Sequence, residues 1–226
     1  MGPQAPKKRL SHLLELAAQG PQMRATLVGE LADLLLDWPS DWSEAMRPPV
    51  VALLEKTACE TDDDTRAKLA ARLGGHGELP LDLINEFYLS APARVRREIL
   101  MRNELAGGEA GDTVAPNAAV LVAAARDARV RDFAERFGSA FGIAPRTAET
   151  ILSDESGEAL AVLCKGAHLD RAAFSALALL KGAYADDTQA RLAAFDTVPQ
   201  HAAERLTRTW LIHHPLPEQR QTEAAE

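Results

Sequence analysis

Apolar residues recur at helical spacing along most of this chain. Leu27, Val28, Leu31, Leu34 and Leu35 fall at i, i+1, i+4, i+7 and i+8, one side of a helix with about 3.6 residues per turn. Val130, Phe133, Ala134, Phe137, Ala140 and Phe141 repeat the pattern with aromatic side chains. Such stripes, cut by glycine and proline, predict helices over about Lys7–Ala18, Pro21–Leu36, Pro48–Cys59, Asp64–Leu73, a stretch from Pro80, and Pro92–Leu105. Further along they predict Ala118–Arg126, Asp127–Phe141, a stretch from Pro145, Glu158–Lys165, Arg171–Lys181, Thr188–Asp196 and Pro199–His213.

The polar residues between the stripes fit helix ends. Asp62–Asp64, Asn117, Asp154–Ser156, Asp170 and Asp186-Asp187 stand where side-chain oxygens accept the free N–H groups of a first turn. Expected inward residues include Leu10, Leu13, Leu14 and Ala17 in the first helix and Val95, Ile99 and Leu100 in the sixth. In the eleventh they are Phe174, Leu177, Ala178 and Leu180. A shift of 30 positions lays Leu53-Leu54 on Leu83-Ile84, Arg66 on Arg96 and Leu69 on Ile99. That offset suggests helix–turn–helix units stacked side by side, each covering its neighbour's stripe. Two antiparallel hairpins with coincident spacing would give the same text.

Ala106–Asn117 holds three glycines and a proline without apolar periodicity, which marks a linker. The expected organisation is therefore a HEAT-like helical repeat domain over 7–105, a linker over 106–117, a second helical domain over 118–213 and a disordered tail over 214–226. Composition agrees with the all-α class. Alanine and leucine dominate the apolar set and aromatics are only 5%, which favours helix over sheet.

Charge narrows the partners. The formal net charge is −8, against the basic excess that nucleic-acid binders usually show. The basic start of the chain has no long apolar core after it, so no signal peptide is read. No stretch approaches a membrane span. Cys59 and Cys164 are the only cysteines, as in a reducing cytoplasm.

Few residues carry chemistry by pattern. His12, His76, His168, His201, His213 and His214 include no i, i+4 pair, and no Cys-x-x-Cys exists, so no metal is expected. Gly107–Thr113 and Gly74–Gly77 are glycine-rich but lack a phosphate-binding lysine and a preceding strand. Neither cysteine has an obvious electropositive setting; Cys59, at a helix end, is the more reactive candidate. His12 with Glu15 at i+3 faintly resembles the helix of a phospho-accepting histidine. Arg94, Arg96, Arg97 and Arg102 form a basic helix face diluted by Glu98 and Glu104. Trp38 and Trp42 flank one connection; tryptophan anchors interfaces and also plugs helix junctions.

Ala144–Gly182 is the most recognisable text. Three places carry a resemblance: Val130…Phe133…Phe137…Phe141-Gly142-Ile143, Ile151-Leu152-Ser153-Asp154…Gly157–Ala161, and Lys165–Leu169…Phe174. They resemble a bacterial family of helical proteins known only as a domain of unknown function. That family couples HEAT-like repeats to a second helical segment. The resemblance spans roughly residues 25–212 and is weaker in the N-terminal half. It implies an all-α fold and brings no catalytic residue.

The resulting expectation is a non-enzymatic scaffold or adaptor in the bacterial cytoplasm, without cofactor. Its partner is another protein, contacted through Trp38, Trp42, Arg94 and Arg97. The alternatives are nucleic-acid binding through the basic helix and phosphotransfer at His12. Asp154, Glu155, Ser156, Glu158, Cys164 and His168 crowd together like an active centre, but by position they end, cap and pack helices.

Overall fold

Each helix starts where the local chemistry allows it. The computed structural model describes residues 4–20, 23–58, 60–77, 79–107, 115–127, 130–181 and 187–216. Among these, thirteen α-helices form: α1 Gln4–Ala18, α2 Arg24–Leu36, α3 Arg47–Ala58, α4 Asp63–Leu73, α5 Leu81–Glu86, α6 Ala93–Ala106, α7 Ala118–Asp127, α8 Val130–Phe141, α9 Pro145–Ser153, α10 Glu158–Gly166, α11 Arg171–Lys181, α12 Thr188–Thr197 and α13 Gln200–His213. The fold is all-α; no strand forms among the described residues. Pro21, Cys59, residues 108–113 of the glycine run, Asp186 and the tail beyond 216 lie outside them.

Two compact units divide the chain, Met1–Ile99 and Leu100–Glu226. In the first, α2 packs against α1, α3 and α4. Leu31, Leu34, Leu35 and Leu54 are fully enclosed, as are Leu73, Leu83, Phe87 and Tyr88 further along. Asp62 caps α4 by accepting the Thr65 N–H at 2.8 Å. α1 begins earlier than the expected Lys7, because a proline in a first turn forfeits no helical hydrogen bond. Among its described side chains Leu13 and Leu16 are buried, whereas Leu14 and Ala17 face solvent, so the covered stripe differs from the expected one; the Leu10 side chain lies outside the described ones.

In the second unit α10 is the central helix. It packs on α13, α12, α11 and α9, and Ala159–Cys164 are all buried. A helix apolar on every side is stable in water only when neighbours cover it. α10 and α13 approach closely at Gly166, where a Cβ would sit 2.1 Å from Thr207 Oγ1 and 2.5 Å from the Ala203 carbonyl oxygen. Phe137 stands between Phe133 and Phe141 on α8, with ring centroids 5.6 and 4.6 Å away. Asn117 caps α7, Asp170 caps α11 and Asp187 caps α12. Leu180, expected inward, is 41% exposed, because α11 turns its Phe174–Leu177–Ala178 side to the core.

Candidate protein-interaction site

The α2–α3 connection is built around its two tryptophans. α2 stops at Leu36, since the residue before Pro39 resists helical dihedrals. The chain then turns, with the Trp42 N–H donating to the Pro39 carbonyl at 3.0 Å. Ser43 starts a 3-10 turn over Glu44–Met46 by accepting the Ala45 N–H at 3.3 Å. α3 follows directly, with Pro48 and Pro49 in its first turn. This path brings the Trp38 and Trp42 rings edge to face, 5.5 Å apart at 85°. Arg47 lies over Trp38 at 5.8 Å and within 3.6 Å of Glu44.

Both indoles are half-buried. Each Nε1–H is shielded from water and has no hydrogen-bond partner among the described residues. A shielded donor without an acceptor is costly and unusual in a folded protein.

The arginines of α6 separate into two kinds. Arg94 is exposed and pairs loosely with Glu98 at 3.5 Å; Arg97 is exposed and donates to the Ala93 carbonyl at 3.4 Å. Arg96 instead turns inward. It donates to the Ala91 and Leu89 carbonyls, both at 3.0 Å, and lies over the Tyr88 ring at 5.5 Å. Arg102 is half-buried rather than outward. The basic face thus shrinks to Arg94 and Arg97. No hydrogen bond, ion pair or ring contact among the described residues joins that pair to Trp38 and Trp42.

The crowd in α9–α11 serves the fold. Asp154 accepts from the Ser156 hydroxyl at 2.8 Å and the Ala159 N–H at 2.9 Å, capping α10. Ser156 accepts the Glu158 N–H at 3.2 Å. Burial pushes the Cys164 thiol far above its ordinary range, so it stays protonated and unreactive. His168 takes a left-handed φ of 58°, and the Leu169 N–H reaches back to the Cys164 carbonyl at 2.8 Å. That is a helix-ending motif with histidine where glycine is usual. Lys165 donates to the Phe195 and Val198 carbonyls at 2.9 and 2.6 Å, placing its charge at the negative end of α12.

Two arrangements were not visible in the sequence. Arg191 is 6% exposed; burial lowers its guanidinium's pKa, and Asp154 opposes that. His168 and His201 also flank Glu204, at 3.8 and 3.6 Å. His168 meets Glu204 only because α10 packs on α13, whereas His201 and Glu204 are one turn apart on α13 itself. No cluster of three or more His, Cys, Asp or Glu that could hold a metal occurs among the described residues. His12 and Glu15 are both exposed on α1. No helix among the described residues is long and apolar enough to cross a membrane.

Residues 112–208 match the model of a family described as an uncharacterised protein conserved in bacteria (DUF2336). The match covers the region where the sequence resemblance is closest. No curated protein and no solved structure matches the chain.

Proposed function

We propose that this chain is a non-enzymatic protein-interaction module, a scaffold or adaptor of the bacterial cytoplasm. The observation that carries this reading is the Trp38–Trp42 pair: two half-buried indoles, edge to face, whose N–H groups have no acceptor among the described residues. Tryptophan and arginine are the residues most enriched among binding hot spots, and rigid rings lose little entropy on docking. A partner backbone carbonyl would complete the hydrogen bonding that the free chain leaves unmade, after a small movement of the loop. HEAT-like stacking of the N-terminal helices would give that pair an extended surface. Arg94 and Arg97 would add charge contacts, which steer association more than they hold it.

A photo-crosslinker at Asp41, between the tryptophans, tests the proposal. One recurrent protein adduct is expected, lost in the Trp38→Ala/Trp42→Ala variant and retained in Arg96→Lys. Adducts that vary between preparations, or that survive the double substitution, contradict it. Nucleic-acid binding through α6 requires retention on DNA or RNA at about 0.2 M salt, lost in Arg94→Glu/Arg97→Glu. Phosphotransfer at His12 requires an acid-labile phosphate absent from His12→Ala.

A further inference from the structure

A cavity of about 190 Å³ opens between α1, α2 and α3 in the first unit. The buried Leu16, Leu27 and Thr57 and the half-buried Leu53 line its inner part. Arg24, Lys56 and Glu60 stand at its rim. Arg24 and Glu60 pair at 2.8 Å and remain 37% and 46% exposed. Lys56 is exposed on α3, and no ion pair holds it among the described residues. Two cations against one carboxylate make this rim positive, in a chain whose net charge is −8.

Size and charge together specify an occupant. An apolar cavity of about 150 Å³ admits benzene, so this one takes a single large apolar side chain and little more. The surplus charge of Lys56 selects a carboxylate next to that side chain. We infer that the cavity is a docking socket for a partner-protein segment that presents one large apolar residue followed by an acidic one. The inference rests on the interaction reading above and names the partner's chemistry. The segment's apolar side chain fills the inner part between α1 and α3. Its carboxylate meets Lys56, and Glu60 stays with Arg24. Glu60 also repels a second acid, which limits the match to one carboxylate.

The test uses the full chain, ¹⁵N-labelled, titrated with the capped peptide Gly-Ser-Phe-Glu-Ser-Gly. Saturable amide shifts are expected at Leu16, Leu27, Leu53 and Lys56. The Phe-to-Ala peptide should bind at least about tenfold more weakly, and so should the Glu-to-Lys peptide. Lys56→Glu should reverse the charge preference while leaving the rest of the spectrum unchanged. Equal binding of the Glu and Lys peptides overturns the inference. Shifts confined to other residues, or no saturable shift with any peptide, do the same. Phenylacetate binding without peptide binding also overturns it, because the socket would then serve a free small carboxylate. If the peptides fail while crosslinking at Asp41 persists, the socket alone falls. If the peptides bind while crosslinking fails, the tryptophan site falls and the socket stands.

Discussion

Residues 144–182 and the α2–α3 connection make opposite use of polar and aromatic side chains. The first is rich in apparent chemistry, yet its polar groups end or brace helices. Asp154 and Ser156 cap α10, Lys165 closes α12, and His168 terminates α10. The connection has few functional groups, yet two of its donors have no acceptor among the described residues. The difference teaches that satisfaction, not residue type, separates architecture from a candidate site. Asp154 already spends one carboxylate oxygen on the start of α10, whereas each indole N–H of the connection has its single hydrogen bond still to make.

Substitutions can break this contrast, beginning with the largest effects on stability. Trp210 is fully enclosed on α13, so Trp210→Ala should cost about 3–5 kcal/mol in urea unfolding. Gly166→Ala should cost about 1–3 kcal/mol, because the added methyl meets the Ala203 backbone, which cannot rotate away. Full stability in either variant would mean that α10 and α13 do not pack as described. Asp154→Ala should lose about 1 kcal/mol with the cap. His168→Gly should reverse the sign and gain about 1 kcal/mol, by relieving a left-handed residue. Trp38→Phe/Trp42→Phe should be nearly neutral or slightly stabilising, since it removes two unmatched donors. It should nevertheless weaken partner crosslinking.

The smallest expected effect concerns acid. The Arg171 hydrogen bonds hold the Asp196 carboxyl below its ordinary value of 3.8. A carboxylate depressed in the folded state stabilises it above the unfolded value, and that gain disappears as pH falls through the folded one. The pair is exposed, so solvent screens it strongly. Asp196→Asn should therefore flatten a small part of the stability loss below about pH 4, and leave neutral stability nearly unchanged.

Much of the fold was legible from local rules. Periodicity placed α11 at Arg171–Lys181, as found, and the caps at Asp62, Asn117, Asp170 and Asp187 all form. These features depend on residues a turn apart. What depends on neighbours was misjudged or unseen. Leu14 and Leu180 fit an apolar stripe but face solvent, because the packing partner decides which part of a wide stripe is covered. Arg96 fits a basic face, yet it folds back on the Leu89 and Ala91 carbonyls. The Gly166 crossing and the His168–Glu204 contact need α13 brought against α10. At the candidate site the rarity of tryptophan marked the residues. Their edge-to-face contact and unmatched donors appear only in three dimensions.

The most direct test compares the two regions in one assay. Partner crosslinking from Asp41 is measured for Asp154→Ala and for Trp38→Ala/Trp42→Ala, at matched fractions of folded protein. The account predicts unchanged crosslinking in Asp154→Ala and its loss in the tryptophan variant. Loss in Asp154→Ala with retention in the tryptophan variant would contradict it, and would return the functional surface to residues 144–182.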